Sequence, residues 1–144
     1  MKKTLLNKSK FIMLMLLLSI ATLLSACNGA SMRDYYSQKS NYVRASGTVI
    51  HIAYTDDHTE LYLGFSDLIP QFDDVTFGIV GDNLTIVQQK GIDKKIKIGD
   101  QVDFITAPKY FGDGYVMPIV EISVNEEKLL DFEEGFANLL KWLE

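Results

Sequence analysis

Three textures of apolar and polar positions follow one another along the chain. Residues 11–18 are an unbroken apolar run, preceded by Lys2, Lys3, Lys8 and Lys10 and continued by apolar and small side chains to Ala26. Residues 28–41 are polar and small and show no apolar period. From Tyr42 onward, β-branched and aromatic side chains alternate with polar ones, the period of half-buried strands.

That alternation predicts strands over 42–54, 59–65, 75–80, 101–106 and 116–124. Gly47 marks a bulge or bend within the first, and Pro118 puts part of the fifth at an edge or bulge, since it cannot donate to a ladder. Residues 82–90 fit two readings. In one, Asp82 caps a short helix that turns Leu84 and Val87 inward and stops at Gly91; in the other, residues 84–87 form a strand. The run Gln88-Gln89-Lys90-Gly91 favours the helix. The last segment predicts an amphipathic helix with Asn125 as N-cap and Glu126 and Glu127 in its first turn. Leu129, Phe132, Phe136, Leu139 and Leu143 make its apolar stripe, and Gly135 weakens it by about 1 kcal/mol relative to alanine.

The chain is thus expected to be mainly β. Five strands, a short internal helix after the third and a closing hairpin of the fourth and fifth resemble the element order of an OB-type barrel. Ser46-Gly47-Thr48-Val49 and Ile98-Gly99-Asp100-Gln101-Val102-Asp103-Phe104 look like that fold's first and fourth strands. The resemblance covers residues 42–124 and implies a small OB-like five-stranded barrel, with a C-terminal amphipathic helix and an N-terminal signal helix outside it. A generic small β-barrel or a β-sandwich is the competing architecture. The fold class by itself assigns no activity.

The N-terminal run has the secretory layout of cationic region, apolar region and small-residue cleavage site. At 16 residues, 11–26 is short for a hydrocarbon core that takes about 20. Leu24-Ser25-Ala26-Cys27 resembles the lipobox of bacterial lipoproteins, in which cleavage precedes a cysteine that carries diacylglycerol. The resemblance implies a signal peptide over 1–26, lipid on Cys27, a flexible tether over 27–41 and a folded domain over 42–144, held at the extracytoplasmic face of the cell membrane. Cys27 is the one cysteine, so no intrachain disulfide can form, and acylation accounts for an otherwise stray exported thiol. Two acyl chains hold where one only visits, each buried methylene contributing about 0.8 kcal/mol.

Cleavage changes the charge balance. The chain has 14 basic and 19 acidic residues, with four of the basic ones before Cys27 and none of the acidic, so the remainder carries a net −9. Such a surface excludes nucleic acid as a partner, which needs cations to displace phosphate counterions, and discourages adsorption to anionic headgroups. The 118 residues from Cys27 onward suffice for one core.

Candidate chemistry is sparse. Tyr110, Phe111 and Tyr115 lie in the loop between the fourth and fifth strands, which flanks the usual binding face of OB-type barrels; beside Gly112 and Gly114 they offer stacking area to a ligand or partner. Trp142 would anchor a docking face if the C-terminal helix were not simply a cover over the barrel's open end. Asp56-Asp57-His58-Thr59-Glu60, with His51 nearby, contains metal-ligating types, yet is equally the composition of a solvated turn. Neither it nor Asp73-Asp74 has the spacing of a calcium loop. No metal or cofactor is expected. Without a nucleophile elbow, zinc-binding His pair, phosphate loop or cysteine nucleophile, an enzyme is not expected either. The sequence reading is a lipid-anchored, non-catalytic module for an envelope protein or glycan, the alternatives being a toxin- or phage-blocking surface lipoprotein and a metal-dependent hydrolase around His51 and His58. Replacement Cys27→Ser is expected to free the protein from the membrane fraction; a variant that still partitions into detergent at its mature size contradicts the anchor.

Overall fold

The computed structural model describes residues 32–72, 75–111 and 114–144. The segment expected to be a signal peptide, Cys27, the start of the expected tether, Asp73-Asp74 and Gly112-Asp113 lie outside the described residues. A single folded unit runs from Tyr36 to Glu144.

Six strands make one sheet: β1 (Val43–Tyr54), β2 (Glu60–Ile69), β3 (Thr76–Val80), β4 (Gln101–Thr106), β5 (Val116–Val124) and β6 (Glu127–Leu130). Between β3 and β4 lie the helices α1 (Gly81–Gln89) and α2 (Ile92–Lys95), and α3 (Phe132–Trp142) follows β6. The strand order is β3-β2-β1-β4-β5-β6, with a further β3–β5 pairing, so the first five strands form a ring and β6 extends it. Neighbours in the order are antiparallel. The closing pair is parallel, with Thr76, Phe77 and Gly78 facing Val116, Met117 and Pro118.

β1 makes the ring possible by serving two partners. Its first half, Val43 to Thr48, pairs with β4, and Ser46 to Tyr54 pairs with β2. Register shifts at Ser46/Thr48 and Val49/His51 bend it where it passes from one to the other. Gly47 lies in the first shift, as the sequence predicts, and the close approach of β2 requires it: a Cβ there would lie 2.9 Å from Phe65 Cβ. The fifth strand's irregularity also falls where expected. β4 pairing ends at Ile119 after a register shift, one residue short of Pro118, which is then needed only by the parallel ladder with Gly78.

Inside the ring, alternate strand positions meet. Phe65 stacks on Phe104 at 4.8 Å, and Phe77 meets both edge-on at 5.6 and 4.8 Å. Such pairs contribute about 0.5–1.5 kcal/mol each beyond their burial. Leu84 and Val87 from α1, Ile92 from α2 and Ile96 just after it belong to the same core. Residues 82–90 are therefore helical. The helix begins at Gly81 with φ +56, its cap residue is Val80 and no side chain caps it, so Asp82 does not have the N-cap role read from the sequence. Gly91, at φ +78, ends it as expected.

The C-terminal prediction needs correction. Asn125 does not cap a helix; it and Glu126 take φ 50 and 66 and form the two-residue turn that pairs Val124 with Glu127. Residues 127–130 are strand β6, and Leu129 and Leu130 are core through it. The helix starts at Phe132, where Asp131 accepts from the Glu133 backbone N–H at 3.0 Å. Gly135 is a packing requirement, since a Cβ there would lie 1.9 Å from the Val120 carbonyl oxygen of β5. The buried Asn83 of α1 donates to the Gly135 carbonyl at 2.9 Å and accepts from Asn138 at 3.0 Å, tying α3 to α1. Residues 36–41 also lie in the folded unit rather than in a tether. Tyr36 is fully buried and donates to the Lys109 carbonyl at 2.5 Å, while Lys39 pairs with Glu133 and lies over the Phe132 and Phe136 rings.

Gly135→Ala is expected to lower stability by about 3 kcal/mol or more, because backbone meets the added carbon. Chemical denaturation measures it, and a neutral or stabilising effect, as helix propensity alone would give, contradicts the packing.

Candidate functional site

The β4–β5 connection is fixed by backbone bonds on both sides. Phe111 N–H donates to the Val116 carbonyl and Thr76 N–H to the Tyr115 carbonyl, each at 3.0 Å. The first closes the loop on itself, and the second ties it to β3. Gly78 then matters because it has no side chain. Phe111 Cζ and Val116 Cγ1 lie only 3.2 and 2.8 Å from where a Gly78 Cβ would be, so the β3 backbone is the floor on which they rest.

The four aromatics picked out by the sequence come together as two edge-on pairs. Tyr110 meets Tyr115 at 5.4 Å and Phe111 meets Trp142 at 5.4 Å. Their exposures separate their roles. Tyr115 is 72% exposed and Trp142 41%, while Tyr110 is half-buried. Phe111 is 6% exposed and presents no face to a ligand; its reading as a contact residue is corrected to a support under Trp142. The apolar stripe of α3 is mostly covered too, with Leu139 buried and Phe132 and Phe136 packed edge-on against Tyr42 at 5.6 and 5.5 Å. Trp142 is the part of that helix that offers an aromatic surface to solvent.

A small cleft opens beside Trp142. It holds about 190 Å³ and is lined by Gly81, Asp82, Asn138, Lys141 and Trp142. Lys141 donates to Asp82 at 2.7 Å, and this bond, with the attraction of the carboxylate, raises the lysine pKa. Only Trp142 of this group was a sequence candidate. Asn138, Lys141 and Trp142 share one helix face by their spacing, but nothing local places the start of α1 opposite them.

The β1–β2 turn behaves as turn chemistry. One Asp57 oxygen accepts from the Thr55 and Thr59 hydroxyls at 2.7 Å each and from the Thr59 N–H at 3.1 Å. His58 takes φ 57 beside the Tyr54 ring, whereas His51 faces Gly64 farther along the hairpin. Among the described residues no three His, Cys, Asp or Glu side chains are grouped to hold a metal. An open depression of about 570 Å³ adjoins this turn, lined by Tyr54, Thr55, Asp56, Asp57, Thr59 and Glu60. It is larger than the Trp142 cleft but lacks an enclosing wall, and two of its three carboxylates are engaged with neighbours: Asp57 as above, and Glu60, which accepts from Tyr62 at 2.5 Å, pushing that phenol up to about 12.

Comparison with known proteins finds no matching family, no matching curated protein and no matching solved structure.

The three bonds to Asp57, led by the Thr55 hydroxyl, lower its pKa from 3.8 to about 2. Because the folded value lies below the unfolded one, this stabilisation is present above about pH 4 and is lost as pH falls toward 2. An NMR titration of the Asp57 carboxyl carbon is expected to show a midpoint near 2 that rises in Thr55→Val; an ordinary midpoint near 3.8 contradicts the arrangement.

Proposed function

We propose that the chain is a lipid-anchored lipoprotein of the bacterial envelope, whose folded unit is an OB-type barrel acting as a non-catalytic binding module for a protein or glycan. The order of Lys-rich start, apolar run and Leu24-Ser25-Ala26-Cys27 supports the anchor. Support for the barrel comes from the ring order, the parallel β3–β5 closure and the helix between β3 and β4. The observation that carries the binding role is the exposed aromatic surface of Tyr115 and Trp142, held at the end of the ring by backbone bonds and glycine contacts.

Exposed aromatics on a fixed support are well suited to recognition. They supply contact area without the ordering cost of a long flexible side chain. The net −9 of the chain from Cys27 onward favours a neutral or cationic partner over a polyanion. Catalysis has no comparable support: among the described residues the charged pair beside Trp142 is Lys141 and Asp82, and these two are bonded to each other.

Alanine at both Tyr110 and Tyr115 is expected to abolish crosslinking to the envelope partner in intact cells while moving the thermal midpoint by no more than a few degrees. Retained crosslinking contradicts the role of this surface, and loss of folding makes the two tyrosines core. Phe111→Ala serves as the contrast, expected to destabilise by about 3 kcal/mol or more through the space left over Gly78.

A further inference from the structure

The cleft between the start of α1 and the last turn of α3 has features that select among ligands. Its 190 Å³ is below the roughly 300–1,000 Å³ of sites for drug-sized molecules, so it has room for one ring of a larger ligand. Trp142 is held in place from behind: its Cδ1 and Cγ lie 2.8 and 3.3 Å from where a Gly81 Cβ would be, and Phe111 meets it edge-on. Any other residue at Gly81 would both clash with the indole and have to adopt φ +56. On the same helix face as Trp142, Asn138 is oriented by its bond to the buried Asn83, and Lys141 by its bond to Asp82 on the opposite wall.

Charge and polarity narrow the choice. An anion would have to compete with Asp82 for Lys141 and then sit beside the displaced carboxylate; a cation would meet the ammonium. An apolar side chain of a peptide would cover Trp142 but strip water from Asn138, Asp82 and Lys141 without replacing its hydrogen bonds. A pyranose meets both demands. One face of the ring carries C–H groups that suit the negative face of an indole, and hydroxyls around its edge can accept from Lys141 and Asn138 and donate to Asp82.

We propose that this cleft binds one neutral sugar ring of a glycan, with Trp142 as the stacking wall and Asn138, Asp82 and Lys141 as the hydrogen-bonding rim. The proposal rests on the binding-module reading and narrows it to one ligand class at one place.

Trp142 is the only tryptophan, so its emission reports this cleft alone. The full chain in detergent micelles would be titrated with a tetramer of N-acetylglucosamine and, separately, a tetramer of glucose. A saturable change of emission is expected with at least one of them, with a Kd on the order of a millimolar for so few contacts. Asp82→Ala, Asn138→Ala and Lys141→Met are each expected to weaken it about tenfold, whereas Gln89→Ala, exposed at the other end of α1, leaves it within twofold. Thermal melting separates lost binding from lost fold, and Lys141→Met, at an exposed position, keeps the test open if Asn138→Ala unfolds. No saturable change with either tetramer overturns the proposal. So does unaltered binding in both Asp82→Ala and Lys141→Met, or displacement of the sugar by inorganic phosphate. If Tyr110 and Tyr115 still govern partner crosslinking while Trp142 does not respond, the sugar site fails and the binding module stands; if crosslinking is also indifferent to those tyrosines, both fail.

Discussion

Everything in the folded unit hangs on three residues of β3 lying parallel to three of β5. Parallel pairing is slightly weaker per residue than antiparallel, and here it is short, with Thr76, Phe77 and Gly78 against Val116, Met117 and Pro118. It persists because both strands are also held from their other sides, β3 by β2 and β5 by β4. Phe77 points from this seam into the Phe65 and Phe104 pair. Closure gives β3 a partner on each side, β2 and β5, so it is not left as an edge open to aggregation.

The candidate site is a by-product of that closure. Bringing β5 beside β3 carries the β4–β5 loop across Gly78, and the missing side chain there lets Phe111 and Val116 settle on backbone. Phe111 in turn braces Trp142 from the C-terminal helix. That helix reaches the same place because Gly135 lies directly on β5 and Asn83 bonds its backbone. Three glycines, Gly78, Gly81 and Gly135, each admit a close contact that any side chain would block. The aromatic surface is thus set by where side chains are absent as much as by where they are present.

Period-two alternation made the strands legible in the sequence, and β4 and β5 coincide with the spans it predicts. Gly47 and Gly91 were legible because a bend or a helix end needs glycine for local reasons. The C-terminal segment misled for a local reason too. Asn125 suits an N-cap and a positive-φ turn equally, and Leu129-Leu130 fits a helix stripe as well as a short buried strand; pairing with β5 decided between them. Residues 36–41 looked like tether because what holds them is distant in sequence: Tyr36 donates to the Lys109 carbonyl, 73 residues away. Within the site, Tyr115 and Trp142 could be picked out as aromatics in a loop and at a helix end. Phe111 could not be told from Tyr115, since its burial depends on Gly78, more than thirty positions earlier. The cleft's polar rim was illegible, being shared between two helices that meet only after the ring closes.

The closure itself can be observed in solution. In the isotopically labelled full chain in detergent, the β3–β5 seam predicts nuclear Overhauser contacts from the Gly78 Hα protons to the Val116 methyls, together with slow amide exchange along β3. Absent contacts, with β3 amides exchanging as fast as those of a free edge strand, would mean an open sheet. The ring, the floor under Phe111 and the support for Trp142 would then all be lost from the account.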